Sequence, residues 1–289
     1  ISLFGKINII FKLSFNMVVY KYSFYFLILA AVGLWLAVFS SPDKNLHLVA
    51  CDVGQGDATL IIYGSFQILV DGGPTNKVLD CLGKYIPFWD RKIEAVILTH
   101  PDSDHYAGLI EVIKRYKVDN YLDNGLESGN QSYQALRKGV GGRGIREVVA
   151  KKGIGVRVGK MYLDIVSPEE AGKETESNDN SLVIDLKYGN FEALLTGDAP
   201  KGILNGISVN QPLDYLKLSH HGSKTGTDAF TLDSFTPRLV LISVGKNNYG
   251  HPDEGVMKLL KERGIRILRT DEVGNIEVIS NGSSLWFSK

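Results

Sequence analysis

Apolar residues fall in short runs along most of the chain, and the spacing within those runs changes from place to place. Residues 47–51, 58–63 and 66–70 are rich in β-branched and aliphatic side chains. Glycine turns (GQGD, YGS) separate them, which predicts three strands. Residues 76–85 read as a helix. Residues 93–98 form an apolar run that stops at Thr99-His100, as a buried strand does when it feeds a loop. From Asp104 the period lengthens: Ala107, Leu109, Ile110, Val112, Ile113 and Tyr116 recur at helical spacing, with Asp104 as the expected cap. Short strands are expected at 118–122, 145–150, 155–158 and 161–166, then a polar loop at 167–178. The pair 181–188 and 191–195 reads as a hairpin about Gly189-Asn190. Runs 213–218 and 238–244 look like buried strands, each followed by a polar glycine loop and a helical stretch. A helix at 254–263 and strands at 276–279 and 285–287 complete the pattern. Strand clusters in both halves with helices between them predict two packed sheets flanked by helices, a four-layer α/β/β/α sandwich.

The amino-terminal part differs. Residues 22–42 contain no charged side chain, and FYFLILAAVGLWLAVF is almost wholly apolar, about the ~20 residues of a membrane-spanning helix. Lys6, Lys12 and Lys21 precede it, which puts the amino terminus inside and everything after Asp43 outside. The expected organisation is a cytoplasmic or interfacial segment (1–21), a transmembrane anchor (22–42) and a domain at 45–289. The alternative for 22–42 is a cleaved signal peptide that leaves a secreted domain. The chain begins with Ile rather than Met, so its first residue is not read as a natural start.

Composition changes this picture little. With 289 residues and 44% hydrophobic content, a large core is affordable. Lys and Arg total 32 against 32 for Asp and Glu, so no global positive field marks a nucleic-acid binder. The two cysteines, Cys51 and Cys81, lie in apolar surroundings without metal-ligand spacing and read as small core residues; the alternative, a single disulfide between them, has no sequence support.

Chemistry concentrates where strands end. His100, Asp102, Asp104 and His105 occupy one loop between a strand and a helix, where open α/β folds place their sites. Two imidazoles and two carboxylates there could surround one or two divalent cations. Asp71 ends a second strand and Asp198 a third. Ser219-His220-His221-Gly222-Ser223 ends a fourth. A fifth is followed by Asn247, Asn248 and Gly250-His251-Pro252.

The motifs DVGQGDA, LVDGG, LTHPDSDHYAG, NDNSLV, LLTGDA, LSHHGS and NNYGHP, in this order, resemble the metallo-β-lactamase-fold superfamily. More narrowly, residues 46–289 resemble the carboxy-terminal domain of ComEC-type DNA-uptake proteins. The resemblance implies metal ligands at His100, Asp102, Asp104 and His105, a bridging carboxylate at Asp198, and a further ligand at His220 or His221. His221 is favoured, with His220 as a phosphate contact or general acid. Asp71 would orient the metal loop. Gln55 and Asp57 would line the mouth of the cleft, with Ser223, Lys224 and Asn247 on substrate and His251 facing it. Lys217 and Lys246 are further phosphate-binding candidates.

Two departures stand out. Asp102 replaces the usual second histidine, and residues 178–181 supply no further one. The first site is thus richer in oxygen, which suits Mn²⁺ or Mg²⁺ as well as Zn²⁺. Two cations roughly 3.5–4 Å apart can activate water against a phosphodiester. The expectation is therefore a membrane-anchored, extracytoplasmic nuclease or phosphodiesterase of DNA uptake, working with a separately encoded channel. The alternatives are hydrolysis of a smaller phosphoester or cell-envelope substrate, and a non-catalytic DNA-guiding module.

Overall fold

The computed structural model describes residues 19–35, 42–172, 176–210 and 212–288. The chain divides into two compact units at Asp43/Lys44. In the first unit, residues 19–35 are helical (α1). Among the described residues, no helix is long and apolar enough to cross a membrane, so the expected anchor is not seen as one. Residues 36–41 of that expected span, and most of the segment before it, lie outside the described residues.

In the second unit the chain lays down β1 (Leu46–Ala50), β2 (Thr59–Tyr63) and β3 (Phe66–Val70) as an antiparallel meander. Helix α2 (Val78–Tyr85) leads to β4 (Lys92–Ile97), and α3 (Ser103–Tyr106) with α4 (Leu109–Arg115) leads to β5 (Lys117–Asp123). Helix α5 (Gln131–Gly142) leads to β6 (Arg146–Val149), and β3 to β6 pair in parallel. The second sheet holds β7 (Gly155–Val158), β8 (Met161–Ser167), β9 (Val183–Tyr188) and β10 (Phe191–Leu195), antiparallel throughout. After α6 (Lys201–Leu204) come β11 (Tyr215–Lys217), α7 (Ala229–Phe235), β12 (Leu239–Ile242), α8 (Glu254–Glu262) and β13 (Arg266–Arg269). Strands β10 to β13 run parallel. Helix α9 (Thr270–Val273) returns the chain to the first sheet, where β14 (Ile276–Ser280) and β15 (Leu285–Ser288) complete the order β15-β14-β1-β2-β3-β4-β5-β6.

Period-two alternation sorts each strand between two layers. Ile68 and Val70 of β3 join Ala193 and Leu195 of β10 and Leu239 and Leu241 of β12 in the core between the sheets. Leu69 faces the other way, into a core with Val78 and Leu82 of α2, Val112 of α4 and Leu136 of α5. Leu194, Val240 and Ile242 likewise pack with Phe235 of α7 and Leu260 of α8. Three apolar cores separate four layers, so the α/β/β/α sandwich holds. Residue-level differences have local causes. The expected single helix after the metal loop is two short ones, α3 and α4, meeting at Gly108. Gly108 sits where a Cβ would lie 2.0 Å from the Gly72 carbonyl oxygen. Helix α5 and strand β13 carried too little apolar periodicity to be expected.

The cysteines differ from expectation as well. Cys51 and Cys81 are joined in a disulfide with their Cα atoms 5.7 Å apart. Both are buried, as expected, but the thiols meet because Cys51 leaves β1 directly under the first turn of α2. Such a bond is the mark of an oxidising, extracytoplasmic environment.

Candidate metal centre

Because β3, β4, β10, β11 and β12 all run toward one edge, the loops after them gather there. Asp71 follows β3, His100 follows β4, Asp198 follows β10, His220 and His221 follow β11, and His251 lies in the loop after β12. Asp198 is the centre of the group. Its carboxylate oxygens lie 4.0 Å from His100 Nε2, 3.4 Å from His105 Nε2, and 3.7 Å from the Nε2 of both His220 and His221. Asp104 Oδ2 is 3.3 Å from His221 Nε2, and Asp102 Oδ2 is 3.5 Å from His100 Nε2. Asp104 is therefore not the helix cap that was expected. Asp102 occupies that position at the start of α3, and Asp104 sits inside the first turn with its carboxylate turned into the site.

The imidazoles are held from behind. His105 Nδ1 donates to Asp71 Oδ2 at 2.9 Å, and His221 Nδ1 donates to the Ser243 carbonyl at 2.8 Å. Thr99 Oγ1 donates to Asp71 Oδ2 at 2.9 Å and faces His100 Nδ1 at 3.0 Å, while the Thr99 amide donates to Asp71 Oδ1. Each arrangement turns Nε2 toward Asp198. Thr99 was not singled out from sequence; a lone Thr at a strand end carries no signal. The backbone contributes too. Asp71, His220 and His221 have φ of 59°, 50° and 54°, the left-handed region that side chains with a Cβ avoid.

Several expected substrate contacts do other work. Asp57 is buried and ion-paired with the equally buried Lys217, so neither lines the cleft mouth. Asp57 was expected at that mouth from the resemblance and Lys217 on phosphate, although Lys217 ends the buried strand β11. The Lys217 ammonium also donates to the Gly197 carbonyl at 3.1 Å, bracing the loop that carries Asp198. Asn247 spends its side chain on its own loop, donating to the carbonyls of Gly245 and His251 and accepting from the amides of Tyr249 and His251. It positions His251 and has no free donor for a substrate. Gln55 Oε1 accepts from the Gly245 amide at 3.3 Å, and Ser223 is buried against Thr225. Lys224 and Lys246 are exposed. His251 does reach the site, its ring centroid 5.4 Å from that of His220. Just before residues 178–181, Ser177 donates to Asp102 Oδ1 at 2.8 Å.

The donor set fits a divalent cation. His100 Nε2, His105 Nε2, His221 Nε2 and Asp198 Oδ1 are buried without a hydrogen-bond partner. Leaving four such atoms unpaired costs several kcal/mol unless something else binds them. Asp57, His105, Asp198 and His221 offer ligand atoms within 4.8 Å of one another. Asp57, however, approaches the Nδ1 side of both rings (4.0 and 3.5 Å) and is neutralised by Lys217, so it suits an orienting role better than a ligand's.

The same electrostatics shows in the protonation. Burial opposes charge on His105 and His221, yet Asp198 outweighs it together with Asp71 for His105 and Asp57 for His221. His105 is pushed well above the usual imidazole range and His221 up to about 10. Burial would raise Asp198, but His105 and His221 hold its carboxyl well below the usual range. Hydrogen bonding to His100 lowers Asp102; Asp104 is lowered by His221 against its own burial. Burial pushes His220 and His251 down, so both are neutral near pH 7 at the rim. When bound, a divalent cation here supplies a Lewis acid and lowers the pKa of a water molecule. The rim imidazoles can accept a proton and return it to a leaving oxygen.

Residues 51–127 match the family model described as the metallo-beta-lactamase superfamily. The chain is 32% identical over 275 residues to ComE operon protein 3 of Bacillus subtilis (strain 168), covering 86% of this chain and 35% of that protein. It is 27% identical over 266 residues to Recombination protein 2 of Haemophilus influenzae, covering 90% of this chain and 32% of the relative. The chain thus spans about a third of the length of these curated relatives. Among solved structures, YhfI of Bacillus subtilis, a metallo-beta-lactamase fold protein, superposes with a TM-score of 0.55 at 14% identity, over 84% of this chain and all of that one.

Proposed function

We propose, for a chain that has the metallo-β-lactamase fold and is homologous to the ComEC-type competence proteins, that it is a metal-dependent hydrolase of phosphodiesters, with DNA as the substrate. The observation that carries the metal-dependent part is the set of buried, unpaired Nε2 atoms of His100, His105 and His221 around Asp198. In this reading His100 and Asp102 would hold one cation, Asp104, His105 and His221 would hold a second, and Asp198 would serve both as a shared carboxylate ligand. Asp71 orients His105. His220 and His251, neutral at the rim, contact phosphate and move the proton. Imidazole and carboxylate together suit Zn²⁺ or Mn²⁺, with Mg²⁺ as a third choice.

The substrate rests on the names of the relatives, a competence-operon protein and a recombination protein. The rim itself favours DNA less. Of the lysines expected on phosphates, Lys217 is buried, which leaves exposed Lys224 and Lys246. That observation supports the second reading, a smaller phosphoester. The Cys51–Cys81 bond supports an extracytoplasmic domain, and the uncharged stretch at 22–42 supports a membrane anchor.

Cleavage of single- and double-stranded DNA and of a small phosphodiester, with Mn²⁺, Mg²⁺, Zn²⁺ or chelator, tests the reading. DNA cleavage abolished by chelator is the expected result. Turnover of the small ester alone would transfer the assignment to the second reading, and turnover of neither would refute both.

A further inference from the structure

The edge opposite the metal centre carries a surface that hydrolysis does not use. Strands β1, β3, β4, β5 and β6 run in one direction, so their first residues lie together at the far edge, and α2, α4 and α5 end there. The loop from α2 to β4 presents Phe88 and Trp89, 78% and 57% exposed, with their rings edge to face at 4.9 Å. Exposed Lys84, Arg91, Lys114, Arg115, Lys117 and Arg143 belong to the same edge. The nearby carboxylates are already engaged: Asp119 with Lys92, Glu111 with Lys114, and Asp90 with Gln67 and the Lys92 amide. Among the described residues, Lys117 and Arg143 have no acidic partner. Both face a shallow groove of about 490 Å³. Cations at helix carboxyl ends complement the helix dipole, which accounts for Lys84 and Lys114. It does not account for two large aromatic rings left in water beside them.

The course of the chain says what covers this edge. Leu46 opens β1 at this same edge, and the uncharged stretch 22–42 stops just before it. Only Asp43, Lys44 and Asn45 intervene, a reach of about 10 Å. Amphipathic aromatic rings flanked by Lys and Arg are what the headgroup layer of an anionic bilayer accepts. We propose that this edge docks on an anionic phospholipid surface, with Phe88 and Trp89 in the headgroup layer and Lys84, Arg91, Lys117 and Arg143 over phosphates. The metal centre then faces away from the bilayer. Aromatic and basic residues also bind single-stranded nucleic acid, but the short connection to an uncharged apolar stretch favours lipid.

The full chain is tested as W35F/W286F, which leaves Trp89 as the sole tryptophan of the three. It is reconstituted with phosphatidylcholine vesicles, with or without phosphatidylglycerol, whose acyl chains are brominated near the headgroup. Docking gives blue-shifted Trp89 emission quenched by bromine in the anionic vesicles, and K117E/R143E reduces that quenching about threefold or more. A Trp89 that stays open to iodide and unquenched in anionic vesicles overturns the proposal. Quenching by an oligonucleotide but not by lipid also overturns it and makes the edge a nucleic-acid surface. Carbonate washing separates docking from anchoring. A retained chain with unquenched Trp89 keeps the anchor and ends the docking. A released chain whose Trp89 had been quenched removes the anchor and upholds the docking.

Discussion

Asp198 carries more of the site than any other side chain, because four imidazole nitrogens lie within 4.0 Å of its carboxylate. D198N keeps the shape and removes the charge. Hydrolysis should fall by about a thousandfold or more with an unchanged circular dichroism spectrum; near-normal turnover would take Asp198 out of the reaction. Asp71 acts through His105 and Thr99, so D71N should weaken metal affinity about 10- to 100-fold, measured by competition with a chelating dye. Protonation gives a third test. Without metal, Asp198 with Asp71 or Asp57 keeps His105 and His221 protonated at neutral pH, and a cation must displace those protons. Uptake should release protons into weak buffer, and affinity should rise with pH. The stability that His221 lends the metal-free protein has the opposite sign. It is present below the unfolded imidazole pKa and lost as pH rises through about 10. The principal ligand candidates were legible in the sequence because each follows an abrupt stop in an apolar run. The residues behind them were not. Thr99, the Asp57–Lys217 pair and the turned-in Asn247 have polar side chains whose partners only the fold determines.

At the scale of elements, the loops of the site are pinned by backbone contacts that leave no room. At Gly56, φ is +147° and a Cβ would lie 2.3 Å from the Asp104 carbonyl oxygen. The DVGQGDA loop and the start of α3 therefore touch only because position 56 lacks a side chain. G56A should separate them and lower both metal content and melting temperature. The disulfide pins the other end of that loop to α2, across a sequence separation of 30. Reduction should cost about 3.5 kcal/mol of unfolding free energy by denaturant titration; identical curves with and without reductant would show that the bond does nothing for stability. Strands were largely legible, since period-two alternation assigns β3, β10 and β12 to their faces. Helix α5 was not, because QSYQALRKGVGG has three glycines and shows only Tyr133, Leu136 and Val140 to the core. Nor was the cysteine pairing: no spacing rule brings position 51 to position 81, whereas β1 and α2 do.

The whole domain has two unlike edges. One gathers five strand ends, five of the six histidines and Asp198; the other gathers strand starts, helix ends, two exposed aromatic rings and six exposed cations. A chain with zero formal net charge can thus be acidic and metal-seeking at one end and basic at the other. The central claim is that the first edge is a metal centre built from these histidines and aspartates. The most direct test is metal content, by elemental analysis of the protein as purified and after dialysis against excess Zn²⁺ or Mn²⁺, beside D198N and H221A. The account predicts one to two equivalents per chain, removed by chelator and reduced in both variants. Wild-type protein that binds no divalent metal, or variants that bind as much as wild type, would contradict it.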